Sequence, residues 1–137
     1  GTLLWLVNKT VTSMGSRLMR NWIEQPLSDE REINNRLDEV QWLFEHPFER
    51  DRLRQALQKV RDIERLLSRI AYAVLNARDC LALLESLKSL PEIIAVLSAS
   101  DNARLIDITS IIRMEAKISG FSLLKMKIRF VLLPFAL

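Results

Sequence analysis

From residue 49 to residue 75, apolar side chains return every three or four positions: Leu53, Leu57, Val60, Leu67, Ile70 and Val74. The other face of the same stretch is charged, with Arg54, Lys59, Arg61, Glu64 and Arg65. A period near 3.6 with one wet and one dry face is the pattern of an amphipathic helix, which must bury its stripe against other helices. Asn76 reads as the end of this segment or the cap of the next, with Asp79 placed at the third position to suit the helix dipole.

The same pattern recurs along the chain, punctuated by caps and prolines. Leu3, Leu4, Leu6 and Val7 read as a short helix ending near Asn8. Thr12 suits an N-cap, followed by Met14, Leu18, Trp22 and Ile23 on one face, until Pro26. Gly15 lets another helix approach closely, and Arg17 and Arg20 read as solvated. Asp29 and Glu32 resemble a capping box, with Ile33, Leu37, Val40 and Phe44 behind them and Pro47 at the close. Cys80, Leu83, Leu84, Leu87 and Leu90 form another stripe, and Pro91 fits the first turn of a new short helix. Asp101 or Asn102 caps a helix carrying Leu105, Ile108 and Ile112, and Gly120 stops it. The fold class expected is all-α, a bundle of about five to seven helices.

After Gly120 the period changes to two. Leu124, Met126, Ile128 and Phe130 alternate with Lys125, Lys127, Arg129 and Val131, a half-buried strand with one apolar and one mostly basic face. Charge divides the same way. Residues 1 to 112 carry 15 Lys and Arg against 16 Asp and Glu, whereas residues 113 to 137 carry five basic residues and one acid. Lys125, Lys127 and Arg129 are candidate phosphate contacts, because phosphate binding asks for positive charge without base-specific geometry; a solvated strand face is the other reading.

The inventory excludes several chemistries. Cys80 is the single cysteine and His46 the single histidine, which argues against an internal disulfide, a Cys-rich zinc site, and Ser/His/Asp or Cys/His catalysis. Cys80 reads as a small buried apolar group, and Trp5, Trp22 and Trp42 as core anchors. Asp62 with Arg65 reads as an exposed ion pair, and Arg65 with Arg69 as neighbouring charges on the same helix, rather than acid/base machinery. No run approaches the ~20 apolar residues of a membrane span, and a cytoplasmic protein is expected. Gly1 in place of methionine reads as a trimmed chain or a fragment of a longer one.

Three ordered blocks carry a family resemblance. TVTSMGSRLMRNWIEQPLSD offers Thr10, Thr12, Met14, Gly15, Arg17, Arg20, Trp22, Ile23, Pro26 and Leu27 to the pattern that opens the helical core of MutS, the DNA mismatch-repair ATPase. EINNRLDEVQWLFE adds Ile33, Arg36, Leu37, Asp38 and Val40, and VRDIERLLSRIA adds Asp62, Glu64, Arg65, Leu66, Ser68 and Arg69. LALLESLKSLPEI continues in register, so the resemblance covers residues 1 to about 97. The chain departs from the pattern after SRIA, where Ala73, Val74 and Ala77 stand in place of a glycine, an arginine and a proline, which leaves the tightness of that turn open.

The resemblance implies a helical core or lever domain over residues 1–118 and a basic, apolar tail over residues 119–137. That tail resembles the strand that closes the DNA-gripping clamp; foreign sequence is the alternative. It implies a connector between clamp and ATPase, both largely outside this chain. The Walker-type phosphate loop and the mismatch-probing Phe-x-Glu element do not occur in the sequence, so no catalytic, cofactor-binding or metal residues are assigned. ATP and Mg would belong to the full-length parent, as would duplex DNA, the other MutS domains and homodimer formation; no membrane partner is implied. The alternatives are a helical protein-interaction module and a small basic nucleic-acid binder acting through the tail.

Overall fold

Polar caps divide the chain into helices one after another. The structure, a computed structural model, describes residues 1–117. Among these residues run α1 (Leu3–Val7), α2 (Ser13–Glu24), α3 (Glu30–Glu45), α4 (Pro47–Gln58), α5 (Ile63–Ala71), α6 (Ala77–Ser98) and α7 (Ala103–Lys117), with no strand. The expected all-α bundle is what the chain forms. The alternating stretch after Gly120, and the residue itself, lie outside the described residues.

Local chemistry sets the starts. The Thr12 hydroxyl accepts from the Gly15 amide at 3.0 Å, and the Asp29 carboxylate accepts from the amides of Arg31 and Glu32. Asn76 and Asp79 complete a reciprocal capping box, and Asn102 accepts from the amides of Arg104 and Leu105. Each of these contacts satisfies backbone donors that a helix end otherwise leaves bare. A Cβ on Gly15 would lie 3.0 Å from that Thr12 hydroxyl and 3.4 Å from Thr10 Cβ. The close approach at Gly15 is therefore made by the segment leading into its own helix, not by another helix.

α6 is the axis of the bundle: α4, α5 and α7 all pack on it, while α3 packs on α4 and α7 and α1 on α2. Leu53, Leu57, Ile63, Ile93, Leu97 and Leu105 are buried at its centre. Burying each such side chain favours folding by about 1.5–3 kcal/mol.

The segment expected to be continuous over residues 49–75 is broken at residues 59–62. The amides of Lys59 and Val60 fold back onto the carbonyls of Ala56 and Leu57, and buried Val60 turns inward. The Arg61 amide then donates to the Ser86 hydroxyl of α6 at 2.9 Å, and Asp62 caps α5. Ser86 in turn donates to the Ala82 carbonyl at 2.7 Å, so this fully buried hydroxyl is satisfied both ways.

Pro91 does not open a new helix; α6 runs through it for 22 residues. A proline there removes one backbone donor and crowds the preceding turn, at a cost of about 3 kcal/mol. Leu83 and Leu90 before it and Ile93, Val96 and Leu97 after it share one buried face, and their packing outweighs that cost.

Candidate functional site

The helices are tied to one another by arginines that sequence spacing does not pair. Asp62 is fixed first by its local role, accepting from the Arg65 amide at 3.2 Å as the N-cap of α5. That posture presents both carboxylate oxygens to α2. Arg17 meets them with Nη1 at 2.7 Å and Nη2 at 2.9 Å, and its Nη2 also donates to Glu64 at 2.7 Å. The Ser13 hydroxyl adds a contact to Asp62 at 3.2 Å. Burial works to raise the Asp62 carboxyl, but Arg17, the Arg65 amide and Ser13 together hold it below the usual carboxylate range. The hydrogen bond to Asp62 does most to keep Arg17 charged, pushing its pKa up.

Asp79 repeats the device at the next helix start. Its amide donates to Asn76 at 2.8 Å, and its carboxylate takes Arg69 of α5 at 2.8 and 2.7 Å. The Arg69 guanidinium holds the Asp79 carboxyl below its ordinary value. Arg17 forks through two nitrogens, which gives geometry as well as charge, whereas Arg69 meets both Asp79 oxygens through Nη1 alone. The Asp62–Arg65 ion pair expected along one helix is thus replaced by contacts between helices, Arg69 pairs with Asp79 of α6, and Arg17, expected to be solvated, is the hub of the other contact.

The link between α3 and α7 has another character. Glu39 on α3 is 3% exposed, and Arg104 at the start of α7 donates Nε to it at 2.8 Å and Nη1 to Glu32 at 3.2 Å. Burial pushes the Glu39 carboxyl up despite Arg104 and Arg36. Arg36 stands over the Trp22 ring, 3.5 Å from its centroid, and its burial lowers its own pKa.

The turn between these regions keeps its tightness without glycine. After α5 the Ala73 amide donates to the Ile70 carbonyl and the Val74 amide to Arg69, both at 3.0 Å. This is the paired closure that normally asks for glycine, and Ala73 meets it at a φ of 54°. It stands where the family pattern has its glycine.

Several side chains depart from the expected burial. Cys80 is exposed, as are Leu84 and Val74. Trp42 is a core anchor, with His46 stacked on it at 4.5 Å, but Trp5 is 74% exposed and Trp22 half-buried. On α3 the buried face is Glu39, Trp42 and Leu43, while Ile33, Leu37 and Phe44 point outward. The phosphate-contact candidates Lys125, Lys127 and Arg129 lie outside the described residues. Among the described residues no group of three or more His, Cys, Asp and Glu could hold a metal ion. No helix there is long and apolar enough to cross a membrane.

Comparison with known proteins gives a consistent result. Residues 1–128 match the family model of MutS domain III, beyond the stretch that carries the resemblance in sequence. A DNA mismatch repair protein MutS from Shouchella clausii is 50% identical over 97 residues, 71% of this chain and 11% of that protein. Proteins of the same name from Geobacillus sp. WCH70 (48% over 91 residues, 66% of this chain and 11% of the relative) and Halalkalibacterium halodurans (44% over 102 residues, 74% and 12%) agree. The match thus spans about a ninth of the length of these curated relatives.

Proposed function

The chain belongs to the MutS family, within its domain III, and from that premise we propose that it is the core and lever segment of a mismatch-repair protein, a stiff link between the part that grips DNA and the part that turns over nucleotide. In this reading the parent binds mismatched duplex DNA, ATP and Mg as a homodimer in the cytoplasm, and this segment performs no hydrolysis itself. A link needs elements that move as bodies and junctions that do not yield. The observation that carries the reading is the set of arginine clasps: Arg17 joins α2 to α5, Arg69 joins α5 to α6 and Arg104 joins α7 to α3.

Two measurements test it. A phosphate-release assay on the chain should give no ATP turnover. A MutS relative carrying residues 1–97 of this chain should release mismatched DNA on ATP addition, and Arg17→Ala should weaken that release more than the binding itself. Equal response with and without Arg17 would remove the mechanical role.

A second reading, a helical module that docks a partner protein, draws support from the outward apolar residues of α3, Ile33, Leu37 and Phe44. Light scattering and pull-down separate the two, since a clean monomer without captured partner counts against docking. A third, phosphate contact through Lys125, Lys127 and Arg129, is tested by anisotropy with duplex DNA at low and raised salt. Loss of a steep salt dependence on deleting residues 121–137 would support it.

A further inference from the structure

One corner of the bundle is apolar and bare. Where α5 turns into α6, Tyr72 and Val74 are exposed, and so are Leu81 and Leu84 on the first turns of α6, Tyr72 by 79% and Leu81 by 62%. Val74 stands where the family pattern has arginine, so the corner is more apolar than that pattern asks. Large apolar side chains gathered at one end of a helix pair mark a surface that something covers.

The course of α7 points the chain at that corner. α6 and α7 pack on each other and are joined by residues 99–102 alone, a connection short enough to make them antiparallel neighbours. α6 has 22 residues and α7 has 15, so α7 stops short of the start of α6 by about 10 Å. Arg113 of α7 donates to the Ser98 hydroxyl at the far end of α6, at 3.3 Å, which sets α7 back toward the connection rather than forward. Beyond Lys117 the chain therefore heads for Leu84 and Leu81. Residues 118–123 can span about 20 Å when extended, enough to bring Leu124 to them.

Residues 118–137 lie outside the described residues, but their sequence supplies the complement. From Phe121 to Leu137 there is no acid, and Leu124, Met126, Ile128 and Phe130 alternate with Lys125, Lys127 and Arg129. A lone segment with one apolar face gains stability only by laying that face on a helix or on other strands, and the described residues offer no strand.

We infer that residues 121–130 close the α5–α6 corner of their own chain, laying Leu124, Met126, Ile128 and Phe130 on Tyr72, Val74, Leu81 and Leu84 and leaving Lys125, Lys127 and Arg129 to water. The cover concerns this chain's own surface and stands whether or not the lever role proposed above holds. A second copy could bury the same corner, but it would compete with a segment tethered a few residues away, at an effective concentration on the order of millimolar.

Cys80, the single cysteine, is exposed beside Leu81 and Leu84 and reports on the cover. Maleimide should label it about tenfold more slowly, or slower still, in the intact chain than in the same chain carrying Leu124→Asp and Ile128→Asp, with equal helix content by circular dichroism. Dilution should not change the slow rate. Equal rates overturn the inference. So does protection that vanishes on dilution, which assigns the corner to a second copy. Should the substituted chain not fold, a peptide of residues 77–84 serves as the unprotected reference, and an intact chain that reacts as fast as the peptide overturns the inference as well.

Discussion

The α2–α5–α6 side and the α3–α7 side of the bundle are both tied by arginine and carboxylate, yet environment gives the two ties opposite sensitivities. Asp62 and Asp79 also cap helices, so backbone amides and an arginine guanidinium share the work of holding the negative charge. Glu39 caps nothing and lies almost wholly out of water, so its charge depends on Arg104 with help from Arg36. The same pair of groups makes a robust fastening where the backbone contributes and a conditional one where burial dominates.

The largest expected effect tests the conditional side. Arg104→Met leaves Glu39 buried without its main partner and should lower stability by about 3 kcal/mol in urea titration. An effect below that of exposed ion pairs would mean that water already reaches Glu39. On the robust side, Asp62→Ala removes cap and clasp together and should cost about 2 kcal/mol, whereas Asp62→Asn keeps a capping oxygen and should cost about half as much. Equal losses would show that the cap contributes little.

Ala73→Gly should raise stability by about 0.5–1 kcal/mol, because glycine occupies the left-handed region without the Cβ penalty. A loss instead would mean that the turn is not strained.

The smallest effects concern pH and separate the two sides by sign. Asp62 and Asp79 contribute stability above the ordinary Asp value of about 3.9 and lose it as pH falls through their lowered folded values. Glu39 behaves in reverse. Its contribution is complete below the ordinary Glu value of about 4.3 and is lost as pH rises through its raised folded value. Urea midpoints across pH should therefore converge for the unsubstituted chain and Asp62→Asn only in strong acid. The difference between the unsubstituted chain and Glu39→Gln should change at higher pH. Parallel curves would erase the distinction.

What the sequence disclosed was what short-range chemistry decides. Caps at Thr12, Asp29, Asn76 and Asn102 are legible because a side chain and an amide two or three residues on settle them. The choice of buried face on α3 was not legible. That helix carries an apolar stripe at Ile33, Leu37, Val40 and Phe44, and it buries instead the face of Glu39, Trp42 and Leu43. Only an arginine 65 positions away makes that glutamate tolerable. The break before Asp62 was hidden for a related reason: the apolar period runs straight across it, while the amide-to-hydroxyl contact from Arg61 to Ser86 that secures it comes from another helix. An aspartate followed by Ile-Glu-Arg carries a cap signal of its own, outweighed in the reading by the charge pairs it also offers.

His46 ends α3 and begins α4, so the corner between them contains no spare residue. Its Nδ1–H donates to the Trp42 carbonyl at 2.8 Å while its ring lies on the Trp42 ring, which seats the hinge of the elbow on a side chain already in the core. One added residue would rotate α4 by about 100° and carry Leu53 and Leu57 away from α6. Evolution can therefore change the letters at this elbow far more freely than it can change their number.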